Sequence, residues 1–157
     1  GQGKQTIIIR KYKTQVKKFL LFPTFSYALK DDYLKNFQKK HRKFVKKHAF
    51  PKKEDKKTEI KYFVICEKMI EGSSKKIGDL EDYFIWNKRH VRSYLNNKNG
   101  YIWLMRVYKL KRPYMVRDVP GMTFANLKEG ISVEGSQSIL SDKEFSKISR
   151  EIESKMI

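Results

Sequence analysis

The stretch YIWLMRVYKL, Tyr101 to Leu110, decides the fold class. It is rich in aromatic and β-branched side chains, and it reads as the strongest strand in the chain. Alternation places Tyr101, Trp103, Met105 and Val107 on one apolar face. Ile102, Leu104, Arg106 and Tyr108 fall on the other, where a cation and a ring favour a binding surface. Pro113 is expected to break the strand, with Tyr114 to Arg117 forming a further short one. Upstream, Asn96 to Gly100 (NNKNG) is a turn by composition.

Working outward, Thr58 to Met69 alternates and predicts a second strand with Ile60, Tyr62, Val64 and Cys66 on one face. Glu71 to Gly78 reads as a loop. Residues 79–97 fit either one helix or a short strand followed by a helix from about Lys88. Gln5 to Arg10 and Phe19 to Phe22 read as short strands, the second ending at Pro23. Residues 31–48 are expected to be helical: Leu34, Phe37, His41, Phe44, Val45 and His48 make one face, and Asp31 and Asp32 suit its first turn. Pro51 stops this helix, and a solvated loop follows. Residues 119–138 are loop-rich. Ser141 and Glu144 form a capping-box pattern that opens a last helix striped by Phe145, Ile148, Ile152 and Met156. The expectation is a single α+β domain over residues 1–157, with a mixed or mainly antiparallel sheet of five to six strands and two to three helices.

Four of these blocks recur together in a known order: Gln5–Lys11, Phe19–Thr24, Tyr101–Leu110 and Ser138–Phe145. In that order the chain resembles the prokaryotic domain-of-unknown-function family numbered eighteen-oh-two, from about residue 3 to the end. The resemblance implies no established activity. Members tend to carry glycines after the Arg-Lys pair, where this chain has Lys11-Tyr12-Lys13. They tend to carry a His-Gln pair after Phe-Pro-Thr, where Phe25 to Ala28 stands here. They also begin further upstream, so Gly1 in the initiator's place reads as a trimmed N-terminus.

The charge points to a partner. Among 157 residues, 36 are Lys or Arg and 17 are Asp or Glu, for a net charge of +19. Residues 1–57 hold 18 basic and 4 acidic side chains, whereas residues 121–157 hold 5 and 6. One-sided charge of this kind is the footprint of polyanion binding. The competing reading is an archaeal or thermophile-like lysine-rich composition, but such compositions raise glutamate alongside lysine. One cysteine excludes a disulfide framework. No apolar run approaches the roughly 20 residues of a membrane span, and the expected location is the cytoplasm.

The expected nucleic-acid contacts are Lys35, Lys39, Lys40, Arg42, Lys43, Lys46 and Lys47 on the basic helix, and Arg10, Lys11 and Lys13 beside the first strand. Trp86, Arg89, Arg92 and Arg106 are expected to touch nucleotides, with Trp86 the best stacking ring among the aromatics near cations (Tyr12, Phe25, Tyr27, Trp103, Tyr108 and Tyr114 are the others). Lysine outnumbers arginine 28 to 8, which favours backbone contact over base reading. DNA is slightly preferred over RNA as the partner.

A second reading is a magnesium-dependent nuclease using Asp31, Asp32, Glu59 and Lys61, since carboxylates hold the metal and a lysine faces the phosphate. Chance supplies about as many acid-x-Lys matches as the four present, so this signal is at background. A third reading is an interaction module for an acidic protein. The expectation is a binding domain or enzyme accessory that needs no cofactor or metal. His41 and His48 read as boundary or core histidines, and Cys66 as an inert buried thiol.

Overall fold

The computed structural model describes residues 2–22, 30–48, 57–117, 124–126 and 132–157. Its spine is one long antiparallel pair. Strand β3 (Lys57–Ser73) runs against β4 (Asn99–Arg117), from Ser73 opposite Asn99 to Lys57 opposite Arg117. Strand β1 (Ile7–Arg10) adds to the other edge of β4, and β2 (Lys18–Leu21) adds to β3. The sheet order is β1-β4-β3-β2-β5, where β5 is Phe124–Asn126. A two-residue strand, β6 (Gln137–Ser138), shares the edge of β4 with β1. All pairings are antiparallel, so the α+β class and the strand content stand as expected.

β4 runs through Pro113 instead of ending before it. The pairing jumps from Tyr62–Lys109 to Ile60–Tyr114. Pro113 therefore sits in a bulge, where its missing N–H removes no ladder bond. The same bulge frees Lys61 and reverses the pleat. Ile60 packs with Phe63, Leu20, Phe22 and Leu110, while Val64 and Cys66 pack on the opposite face with Phe19, Trp103 and Met105. The single face expected for Ile60, Tyr62, Val64 and Cys66 is thus divided.

Four α-helices lie among the described residues: α1 (Arg42–His48), α2 (Ser74–Gly78), α3 (Lys88–Tyr94) and α4 (Asp142–Met156). The long hairpin has no tight turn, because α2, a turn of 3-10 helix at Glu81–Tyr83 and α3 fill its tip. The helix from Lys88 matches the second of the two expectations for residues 79–97, but the short strand expected before it is a 3-10 turn and a single β-bridge at Trp86, and the expected loop at 71–78 is the end of β3 plus α2. α4 has its full capping box: the Ser141 hydroxyl accepts from Glu144 N–H, and the Glu144 carboxylate accepts from Ser141 N–H at 2.8 Å. Phe145, Ile152 and Met156 pack with Ile7, Ile102, Leu104, Ile77, Leu80, Phe84, Val91 and Leu95 in the main core.

Residues 31–48 do not form one helix. They make 3-10 turns at Tyr33–Asn36 and Lys39–His41, and only then α1. Asp32 precedes the first turn without a capping hydrogen bond from its side chain. Between the turns the backbone is extended at Phe37, which forms a β-bridge with Trp86. The expectations for Pro51 and its loop, for Phe25 and Tyr27, and for most of residues 119–131 lie outside the described residues.

Candidate nucleic-acid interface

The basic segment is held by one short stretch of chain, residues 81–87. Gln38 N–H donates to Ile85 O at 3.0 Å, and Asn87 N–H donates to Asn36 O at 2.8 Å. The Gln38 side-chain amide donates to the carbonyls of Phe84 (2.7 Å), Glu81 (2.8 Å) and Trp86 (3.1 Å). Asn87 then caps α3 by accepting from His90 N–H at 2.8 Å. These bonds tie the segment carrying Lys35 to Lys47 to the start of α3, which carries Lys88, Arg89 and Arg92. Lys39, Lys40, Lys43, Lys46 and Lys47 are exposed, and none has an ion-pair partner among the described residues. Arg42 differs: its Nε donates to Phe37 O at 3.2 Å and helps close the second 3-10 turn. Lys35 pairs with Asp32 at 3.4 Å, both well exposed.

α3 itself borders an open groove of about 520 Å³ lined by Lys88, Arg89, Arg92, Ser93 and Asn97. Asp79, outside the lining, engages two of the groove's cations. It pairs with Lys88, and its carboxylate lies 4.0 Å from Arg92 Nη2. The Lys88 hydrogen bond, reinforced by the charges of Lys88, Arg92 and Lys75, holds the Asp79 carboxyl below the usual carboxylate range. Gly78 lies beneath both cations: a Cβ there would come within 3.1 Å of Lys88 Cγ and 3.4 Å of Arg92 Nε. The helix ends because Asn96 and Asn97 adopt left-handed backbone, φ 54° and 55°, with Asn97 N–H donating to Arg92 O and Asn96 N–H to Ser93 O. Asparagine accepts that conformation better than most residues. The far end of α3 meets the third predicted cluster. Lys11 Nζ sits over the Tyr94 ring at 5.1 Å, while Lys13 lies over Tyr101 and Arg10 over Trp103.

Residues 1–151 match the family described as Domain of unknown function (DUF1802). The chain belongs to that family. Neither a curated protein nor a solved structure matches it.

In this DUF1802 domain two of the expected nucleotide contacts are engaged elsewhere. The Trp86 ring stacks on Phe37 at 4.2 Å and on His90 at 4.8 Å, and it packs against the main core. Its π surface is thus taken by its own chain. Arg106 pairs with Asp142, donates to Ser138 Oγ at 3.3 Å, and lies over the Tyr108 and Phe145 rings. The Asp142 hydrogen bond favours its charged form still further. The Arg106 face of β4, expected to be open for binding, is therefore covered by α4.

The other aromatics also have structural roles. Trp103 is core, as expected, and its Nε1–H donates to Tyr12 O at 3.3 Å. Tyr108 stacks on Phe63, and the Tyr114 hydroxyl exchanges hydrogen bonds with the Ser132 backbone. Tyr12 stays 56% exposed, edge-on to Trp103.

The nuclease constellation does not assemble. Glu59 pairs with Lys61 at 3.0 Å beside the β3 bulge, and Asp32 pairs with Lys35. No group of three or more His, Cys, Asp or Glu side chains converges among the described residues. His41 is half-buried; burial, with Lys40 and Lys4 nearby, keeps it below its ordinary pKa. His48 is exposed on α1. Cys66 is buried, and burial pushes its thiol up, away from reactivity. No helix among the described residues is long and apolar enough to cross a membrane.

Sequence reasoning missed Gln38, Gly78, Asp79, Lys88, Ser93 and Asn97. The i, i+4 spacing of Lys88 with Arg92 and of Arg89 with Ser93 was the legible signal for the groove. The Gln38 contacts span more than forty residues of sequence and left no local trace.

Proposed function

We propose that this domain binds nucleic acid, with DNA slightly preferred, mainly through its phosphates. One observation carries the reading. Two basic clusters distant in sequence, Lys39–Lys47 and the α3 groove, belong to one hydrogen-bonded unit, and Lys11 reaches the same helix at Tyr94. Unpaired lysines on such a unit release counterions when phosphates dock, which gives affinity without sequence reading. The contacts are Lys11, Lys13, Lys39, Lys40, Lys43, Lys46, Lys47, Arg89 and Arg92, with Lys35 and Arg10 at the margins. Arg106 and Trp86 belong to the fold. The setting that suits this role is the cytoplasm, and the role requires no cofactor.

The test is fluorescence anisotropy with single- and double-stranded DNA and RNA across a salt series, with and without magnesium. The log-log salt slope grows by about 0.7–0.9 per phosphate contact. Reversing Lys39, Lys43 and Lys46 to glutamate should therefore flatten it by about 2–3. All three are exposed, so the melting curve should be retained. An unchanged slope and affinity in the triple variant would sink the proposal. Cleavage appearing only with magnesium would favour the nuclease, and capture of one acidic protein without nucleic-acid affinity would favour the interaction module.

A further inference from the structure

We infer that the α3 groove is a receptor for a phosphomonoester, the terminal phosphate of a strand or of a nucleotide, and not merely one more backbone contact. The inference rests on the nucleic-acid reading above and deepens it. Its first support is charge. At and beside the groove, Lys75, Lys88, Arg89 and Arg92 stand against two carboxylates, Asp79 on Lys88 and Arg92 and Glu81 on Lys88 N–H at 3.2 Å, so four cations leave two surplus positive charges. A phosphodiester brings one negative charge, whereas a phosphomonoester brings about 1.5–2 at neutral pH. The second support is construction. Asp79 and the absent side chain of Gly78 fix where Lys88 and Arg92 lie, while Arg89 is exposed and has no partner among the described residues. Two cations are thus preset, and a third is free to close on the ligand.

The third support is access and the neutral donors. The groove is open to solvent and offers about 520 Å³ along one face of α3, so a phosphate can enter it without any rearrangement. Ser93 and Asn97 add a hydroxyl and an amide to its lining. The lysine segment contrasts with this, since Lys39, Lys40, Lys43, Lys46 and Lys47 are exposed and have no ion-pair partner among the described residues to fix them. The two parts of the interface therefore have different tasks. The segment holds a strand anywhere, and the groove holds its end.

The experiment compares short single-stranded DNA bearing a 5′-phosphate, a 3′-phosphate or two hydroxyl ends. Wild type should bind one phosphorylated form about tenfold more tightly than the hydroxyl form, the value of one well-made charge-assisted contact. In Arg89→Gln that ratio should fall to about one. The Lys39, Lys43 and Lys46 reversal should weaken all three oligonucleotides together and keep the ratio. Gly78→Val, which pushes a branched side chain into Lys88 and Arg92, should lower the ratio as well. Equal wild-type affinity for phosphate and hydroxyl ends overturns the groove proposal and leaves the wider reading intact.

If no oligonucleotide binds, the wider reading falls, and a nucleoside monophosphate decides the groove alone. Shifts of the Ser93 and Asn97 amide resonances that saturate with the monophosphate, and that are lost in Arg89→Gln, would assign the site to free nucleotides. Absence of such shifts would overturn it.

Discussion

Gln38→Ala is the sharpest perturbation the fold offers, because it leaves every charge in place. The Gln38 amide has two hydrogens, and three carbonyls lie within 3.1 Å of its nitrogen. Truncation removes at least two hydrogen bonds and leaves the carbonyls of Glu81, Phe84 and Trp86 short of donors in a half-buried site. With about 1 kcal/mol per bond and a further penalty for the stranded acceptors, the loss is about 2–3 kcal/mol. A chain of this size loses about 2–4 °C per kcal/mol, so melting should fall by about 5–10 °C.

Two further readouts separate this latch from general destabilisation. Amide exchange of Gln38 and Asn87, whose N–H groups cross the same junction, should accelerate more than that of β4. Affinity for DNA should drop although the formal charge is unchanged, because the lysine segment is no longer held beside α3. Gln38→Glu, of nearly the same shape, turns a carboxylate toward three carbonyl oxygens and should be worse than alanine. A Gln38→Ala protein that melts within about 1 °C of wild type, with unaltered exchange at both amides, would refute the latch.

Two other outcomes follow from named contacts. Replacing Arg106 with leucine removes the Asp142 pair, the Ser138 bond and the cover over Phe145, and should cost about 1–3 kcal/mol in urea unfolding, mostly through the hydrogen bond and ring contacts, since the exposed pair alone contributes little. Its salt slope for DNA should match wild type; a slope lower by about one would make Arg106 a phosphate contact. His90 sits below its ordinary pKa of 6.5 because burial, and then Lys30, disfavours its charged form. The unfolded chain therefore takes up the proton first, so stability is complete above 6.5 and declines as the pH falls through and below that value. His90→Phe keeps a ring against Trp86 and should make stability at pH 5 and 7.5 more nearly equal; an unchanged pH dependence would assign the effect to other groups, His41 first.

Parts of this architecture that depend on near neighbours were legible. The capping box needs only Ser141 and Glu144, and the αL turn after α3 needs only two asparagines. The alternation of β4 placed Arg106 on the face of Ile102 and Leu104 correctly. That α4 would cover this face was a tertiary fact, carried by Phe145 and Asp142. The same limit explains residues 31–48. Their apolar spacing fits a helix, yet Phe37 finds a β-bridge and a stacked ring at Trp86, and these outweigh local periodicity. Of the candidate site, the lysines were legible as composition. Of the groove, only the i, i+4 spacing on α3 was legible; the parts played by Gly78 and Asp79 were not, because they act only once α2 lies against α3.

The deployment of the acidic side chains is the strongest argument that the surplus charge has a purpose. Three of those on α4 reach other elements: Glu153 to Lys68 at 3.0 Å, Asp142 to Arg106, and Glu151 accepting from the Tyr83 hydroxyl at 2.8 Å. Lys155 returns the gesture to Asp82 at 3.8 Å. These contacts orient α4 on the sheet, although exposed pairs contribute little each. Among the described residues no acid pairs with Lys39, Lys40, Lys43, Lys46 or Lys47, and residues 1–57 have only 4 acids against 18 basic side chains. A lysine-rich composition selected for heat would pair those lysines into networks. Here they have no ion-pair partner among the described residues, and on one segment such like charges repel until an anion relieves the repulsion. Bare affinity would not separate a specific polyanion site from general stickiness. The change in salt slope when three of these lysines are reversed does, since it counts the phosphates they meet.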